Sequence, residues 1–264
     1  MKKLSGKTAV VLGAGNRGNM AQVIAKRFRD EGAQVLVAGR KMEEQQRFAD
    51  EIGGYAAHCD ITKPDDLAKL AKTAIDKLGG LNIAVNSTGW GLLKPFLDTT
   101  TEELAQMTAL QFIGPYQFFQ AMIRAMTGGG SLIQISSATA TIMLNDHAAY
   151  MGTKAGTDHV VRCIANEFGA RGVRANSISP GLTDTPMNAK AKLVPGLFDA
   201  FVKGYPLGRY GTSEDIAAAA VWLASDECFM TGQNLQVNGG LTLRMNPSNQ
   251  DIAESVAKAT GKAK

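Results

Sequence analysis

"KTAVVLGAGNRGNMAQVIAKRFRDEG", residues 7–32, changes character twice in one short run. "KTAVVLGA" is a short apolar stretch ending in glycine, the pattern of a buried strand. From Met20 onward the apolar residues fall at helical spacing until Gly32 stops them. Between strand and helix stand Gly13, Gly15 and Gly18 in G-x-G-x-x-G spacing. In that position glycines let the backbone approach a pyrophosphate closely, and the helix N-terminus adds unpaired N–H groups and a positive dipole end. A tight turn without a ligand produces the same letters; the strand before it and the helix after it favour the nucleotide site.

The alternation continues outward from this stretch. "AQVLVAGR", "GYAAHCD", "LNIAVNS", "SLIQIS", "VRANSIS" and "NLQVN" read as six further strands, with helical segments between them. The segment 101–126, "TEELAQMTALQFIGPYQFFQAMIRAM", reads as one long helix, and "PDDLAKLAKTAIDKLG" as a helix opened by proline. Strands alternating with helices imply right-handed crossovers, hence an α/β fold. The expected architecture is doubly wound and Rossmann-like, with a parallel seven-stranded sheet covered by helices on both faces. Residues 1–244 are expected to form one nucleotide-binding catalytic domain. Residues 186–209 interrupt the rhythm, with Leu193, Leu197, Phe198 and Phe201 at helix-like spacing, and read as a substrate lid. Residues 245–264 read as a polar C-terminal tail, disordered or laid across a neighbouring subunit.

The 264 residues, 45% hydrophobic, suffice for one large core. The net charge of +4 is spread along the chain without basic blocks, which argues against nucleic acid as a partner. No run approaches the length of a membrane span and no signal peptide opens the chain, so a cytoplasmic protein with no membrane partner is expected. Cys59, Cys163 and Cys228 lie far apart and read as reduced, buried thiols, and His58, His147 and His159 lack metal-ligand spacing.

Two further stretches carry chemistry. Strand two ends "VAGRK", where an acid would bind a ribose hydroxyl; Gly39 and Arg40 stand there instead. A guanidinium matches a 2′-phosphate, and Arg17 in the glycine loop offers a second cation, so NADP(H) is the expected cofactor. "AAYMGTKAGTDHVV", residues 148–161, sets Tyr150 one helical turn before Lys154. An ammonium beside a phenol lowers its pKa toward working pH, although a half-buried tyrosine and a snorkelling lysine fit the same spacing.

Taken together the chain resembles the short-chain dehydrogenases/reductases, from about Gly6 to Leu243. The resemblance rests on the glycine loop, Cys59-Asp60, "NSTG" at 86–89, "ISS" ending at Ser137, "YMGTK", "NSISPGLTDT" and "TGQNLQVNGG". The thirteen residues from Ser137 to Tyr150 match the family's serine-to-tyrosine interval. The resemblance implies that Tyr150 exchanges a proton with the substrate oxygen, that Ser137 hydrogen-bonds that oxygen, and that Lys154 binds the nicotinamide ribose and lowers the tyrosine pKa. It implies cofactor contacts at Gly13, Gly15, Arg17, Asn19, Met20, Arg40, Asp60, Ile61, Asn86 and Gly89, and at Pro180, Gly181, Thr183 and Thr185 for the carboxamide end. Asp60 also reads as a helix cap.

Three positions depart from the family pattern. The glycine loop is one residue longer than usual, placing Asn19 and Met20 where the last glycines are expected, a length like that of enoyl carrier-protein reductases. Those reductases place six residues between tyrosine and lysine, whereas three stand here, which favours carbonyl chemistry. Gln111 occupies the place of a usual asparagine in the proton relay, and "NSTG" replaces the common "NNAG". Trp90, Met143, His147, Met187 and Phe198 are the expected substrate contacts, mostly apolar. They suggest a hydrophobic ketone or secondary alcohol, or a 3-oxoacyl thioester presented by an acyl-carrier protein. An enoyl reductase and a catalytically idle NADP sensor are the alternatives, and a homotetramer is the expected assembly.

Overall fold

The computed structural model describes residues 2–261, and of Met187 the backbone alone. In chain order the elements are β1 (Thr8–Leu12), α1 (Met20–Asp30), β2 (Gln34–Gly39), α2 (Met42–Ile52), β3 (Tyr55–His58), α3 (Pro64–Leu78), β4 (Ile83–Asn86), α4 (Thr101–Thr108), α5 (Gly114–Ala125), β5 (Gly130–Ile135), α6 (Ala148–Phe168), β6 (Val173–Pro180), β7 (Thr183–Asp184), α7 (Ala189–Lys192), α8 (Leu197–Val202), β8 (Gly211–Thr212), α9 (Ser213–Ala224), β9 (Asn234–Val237) and α10 (Asn249–Ala259).

Seven of the strands form one sheet in the order β3-β2-β1-β4-β5-β6-β9, every neighbouring pair parallel. Strand β1 is buried on both faces, which is why its sequence is continuously apolar rather than alternating. Val11, Val35 and Val37 face one layer, with Ile24 and Phe28 of α1, Phe48 of α2 and Ile216 of α9. Val10, Leu12 and Leu36 face the other, with Leu67 and Leu70 of α3, Phe118 and Met122 of α5 and Val161 of α6. The strand order reverses between β1 and β4, and open α/β sheets bind ligands beyond the carboxyl ends of the strands at such a point.

The segment expected to be one long helix is broken. α4 and α5 are joined by a wide π turn, Ala109–Ile113. Pro115 has no N–H to continue the helical ladder, and Gly114 packs so tightly that a Cβ would lie 2.9 Å from the carbonyl oxygens of Ala109 and Ile61. The turn sets Gln111 beneath the site.

The polar C-terminal segment is helical. Ser248 and Asp251 form a capping box that opens α10. Ser255 Oγ donates to the Gly196 carbonyl, and Asn246 Nδ2 to that of Met143, so the segment lies against residues 186–209 and the loop before α6 of its own chain.

Candidate active site

Two adjoining clefts open at the carboxyl edge of the sheet. One, about 540 Å³, is lined by Asn19, Met20, Gly89, Ser137, Tyr150, Lys154, Pro180, Gly181, Thr183 and Thr185 among others. The second, about 260 Å³, includes Gly13, Gly15, Arg40, Lys41, Asp60 and Ile61 in its wall. Asn16, Asn19, Ser87, Thr88 and Gly89 line both, which makes them one continuous groove.

The glycine loop forms the floor where the two clefts meet. Gly13 sits at φ 111°, and a Cβ there would lie 2.9 Å from the Ser87 carbonyl carbon and oxygen. Asn19 caps α1 by accepting from Gln22 N, and its Nδ2 donates to the Gly13 carbonyl. The residue that replaces an expected glycine therefore ties the lengthened loop together. The loop ends at the N-terminus of α1, and this cradle fits a pyrophosphate.

At the outer end, Arg40 and Lys41 share the smaller cleft with Asp60. Lys41 Nζ donates to Asn16 Oδ1 at 2.8 Å, which draws its charge over the loop. Lys41, next to the expected Arg40, is thus a second cation at this end of the groove. Arg17 is exposed and lines neither cleft; its charge lies near Glu44 instead. Asp60 accepts from the Thr62 N–H and hydroxyl in an Asx turn ahead of α3. Burial opposes ionisation of Asp60, but the Thr62 bonds and the Arg40 charge outweigh it and hold the carboxyl below its ordinary range. Asn86 is fully buried, donating to Gln134 and accepting from Thr88, so it shapes the loop after β4. Gln45, absent from the sequence reading, is also fully buried, its amide unpartnered beneath Gly15 and Gly39.

At the inner end, strand β5 runs into Ser136 and Ser137, and α6 lays Tyr150 and Lys154 along the same cleft. Lys154 is buried, and its Nζ donates to the Ile135 carbonyl at 2.8 Å, 5.6 Å from the centre of the Tyr150 ring. Burial pushes the Tyr150 phenol up to about 12, against a pull downward from Ser137, and the negative charge of Asp158 adds to the rise. Burial likewise brings the Lys154 ammonium down to about 8, against Asp158. The sequence reading has Lys154 lowering the phenol; in this arrangement desolvation wins.

Gln111 is bonded at both ends of its amide. Its Oε1 accepts from Trp90 N at 3.0 Å, and its Nε2 donates to Thr153 Oγ1 at 3.0 Å. Its main-chain carbonyl accepts from Thr157 Oγ1 at 2.6 Å. The amide thereby joins the loop after β4 to α6, its oxygen already turned to the Trp90 N–H.

The expected substrate contacts are scattered. Of the four whose side chains are described, none lines the larger cleft; the side chain of Met187 lies outside the described positions. Phe198 is buried edge-on against Tyr210, inside residues 186–209 rather than on the wall. Met143 is 67% exposed. His147 stacks on the Tyr150 ring, centroids 4.3 Å apart, with Nδ1 against the Leu92 carbonyl at 2.7 Å. Since a carbonyl only accepts, Nδ1 carries the hydrogen, and burial lowers the His147 pKa, so the ring is neutral. Cys163 is exposed, unlike the expected buried thiol. Among the described residues no cluster of metal-ligating side chains gathers, and no helix is long and apolar enough to cross a membrane.

A family model described as enoyl-(acyl carrier protein) reductase matches residues 13–242. The D-threitol dehydrogenase of Mycolicibacterium smegmatis is 33% identical over 250 residues, covering 92% of this chain and 95% of its own. The 7α-hydroxysteroid dehydrogenase of Escherichia coli K12 is 34% identical over 254 residues, covering 92% and 97%. A short-chain type dehydrogenase/reductase from Mycobacterium ulcerans superposes with a TM-score of 0.88 at 30% identity, covering 95% of this chain and 94% of its own. The chain belongs to the short-chain dehydrogenase/reductase family, oxidoreductases that use a nicotinamide cofactor.

Proposed function

We propose that this protein is an NADP(H)-dependent oxidoreductase that interconverts a ketone and a secondary alcohol. The observation that carries this reading is Ser137, Tyr150 and Lys154 lining one cleft, continuous with a glycine-floored groove that ends at Arg40 and Lys41. The cofactor, when bound, supplies or accepts the hydride. Gly13 and the first turn of α1 would hold the pyrophosphate, Arg40 and Lys41 the 2′-phosphate, and Pro180, Gly181, Thr183 and Thr185 the carboxamide end.

In reduction, the Tyr150 hydroxyl delivers its proton to the substrate oxygen while Ser137 hydrogen-bonds that oxygen and fixes its position. Lys154 stabilises the charge left on the phenolate and orients the ribose. Gln111 acts here as a strut between loop and helix. Carbonyl chemistry is preferred to enoyl reduction because three residues, not six, separate Tyr150 from Lys154. The two relatives named above are, by their names, alcohol dehydrogenases of a polyol and of a hydroxysteroid. The substrate class drawn from the sequence is a hydrophobic ketone or acyl thioester; of the residues that suggested it, Trp90, Met143, His147 and Phe198 stand off the cleft wall. Residues 186–209 would close over the site as a lid, and the assembly is proposed as a homotetramer.

The test is NADPH oxidation with a panel of ketones and enones, in wild type and Tyr150→Phe. Removing the hydroxyl should lower kcat by about 10²–10⁴-fold while leaving NADPH binding intact. Near-normal turnover of ketones by Tyr150→Phe, or turnover of enones alone by the wild type, overturns the reading.

A further inference from the structure

Asp158 follows Lys154 by four residues, as Lys154 follows Tyr150, so one stripe of α6 carries a phenol, an ammonium and a carboxylate in succession. The carboxylate is held from two strands and faces a third. Its Oδ2 accepts from Ser136 Oγ at 2.7 Å at the end of β5, and from Asn234 Nδ2 at 2.7 Å on β9. Its Oδ1 is buried without a hydrogen-bond partner within the usual geometry, and the Ser177 hydroxyl of β6 is likewise buried and unpartnered. Ser136 lies between Ile135, whose carbonyl receives Lys154, and the proton-positioning Ser137. Asp158 thus grips the strand end that holds both the lysine and the serine.

We propose that Asp158 is a positioning residue for the reaction: its carboxylate is the counter-charge that keeps Lys154 protonated, and its bond to Ser136 fixes the strand end that carries Ser137. The inference rests on the function proposed above. Lys154 faces the Ile135 carbonyl from β5, Tyr150 and Asp158 from its own helix, and Gly89 from the loop after β4. Behind Tyr150 lies the neutral His147, and beside Gly89 the uncharged Gln111 amide. Among the described residues, Asp158 is the charged side chain that acts on Lys154, and it raises the lysine's pKa against burial. Burial lifts Asp158's own titration, while its hydrogen bonds and Lys154 favour the charged form. A nearby opposite charge shifts a pKa by about one to three units, and the half-buried setting of Asp158 argues for the lower figure.

The experiment is the pH profile of kcat/KM for NADPH, with NADPH binding followed by nicotinamide fluorescence over the same range. In the wild type an alkaline limb near pH 8 should report Lys154 losing its proton. Lys154→Arg, which does not titrate, should abolish that limb and so identify it. Asp158→Asn keeps the shape and removes the charge, and its limb should fall by about one pH unit. Asp158→Ser serves the same comparison if the amide fails to pack. Ser136→Ala breaks the hydrogen bond but keeps the charge, and should lower kcat without moving the limb. An unmoved limb in Asp158→Asn, or an equal displacement in Ser136→Ala, overturns the proposal. A wild type that neither binds nor oxidises NADPH sinks the functional reading and this inference with it.

Discussion

Replacing Gly13 by alanine tests the floor of the groove directly. The new Cβ would stand 2.9 Å from the backbone carbon and oxygen of Ser87 and 3.2 Å from Thr88 N. These are backbone atoms just beyond β4, whose Asn86 is in register with Leu12 of β1, so neither side gives easily. Overpacking of this kind costs about 1–3 kcal/mol. The φ of 111° adds a backbone penalty of about 1–3 kcal/mol for any L side chain. If the loop holds its place, the total of about 2–6 kcal/mol appears as lost stability, and at about 2–4 °C per kcal/mol the melting temperature falls by at least about 4 °C. If the loop retreats, stability survives but the cradle opens, and NADPH affinity falls by at least about 30-fold for 2 kcal/mol. Gly18→Ala is the control: its φ is 68° and nothing lies within 4 Å of a Cβ there, so only a left-handed backbone cost of about 1–2 kcal/mol applies. Calorimetry with and without NADPH, joined to a fluorescence titration, reads both outcomes. If Gly13→Ala melts and binds no worse than Gly18→Ala, the close approach of loop and β4 does not exist as described.

Three other outcomes are expected. Arg40→Asp should reverse much of a preference for NADPH over NADH, on the order of ten- to hundredfold, because a charge-assisted pair contributes about 1.5–3 kcal/mol. Lys41→Ala should weaken NADPH alone, and equal Km values for both cofactors in the wild type would remove the basis for either. Light scattering at micromolar concentration should give four times the 27.9 kDa chain mass, since Ile113 and Tyr116 are each nearly half exposed and Tyr116 borders a groove whose wall includes Ile123, Val160 and Phe168; a monomer contradicts the assembly.

What the sequence made legible depends on whether a residue's role is local. Each of the seven sheet strands was readable because short runs of apolar residues between glycine and polar punctuation need no partner to be recognised. The same holds for the start of α3, where Pro64 stands at the first turn and Gly79 ends the helix at φ 76°. The π turn was only half visible: Pro115 is a local signal, but Gly114 meeting the Ile61 carbonyl is a contact between residues far apart in the chain. Phe198 misled for a related reason. An apolar residue in a lid segment points either to the ligand or to the lid's own core, and only Tyr210, twelve positions later, decides for the core. The C-terminal helix was obscured by its polar composition, although the spacing of Ser248 and Asp251 carries the capping signal that opens it.

The protonation of the central pair shows why spacing alone could not give the chemistry. The four-residue step from Tyr150 to Lys154 states that the groups are near each other, and proximity to a cation lowers a phenol's pKa. Spacing says nothing of how far both are withdrawn from water, and withdrawal disfavours the charged form of each. With the phenol near 12 and the ammonium near 8, the pair at neutral pH is a neutral acid beside a cation. That is the state a proton donor requires, so reduction of a carbonyl can begin without any prior titration of the site. Alcohol oxidation must first draw the proton from Tyr150, against both burial and the negative charge of Asp158. The same carboxylate that holds the proton on Lys154 therefore also holds the proton on Tyr150, and one buried charge biases both members of the pair toward the donor form.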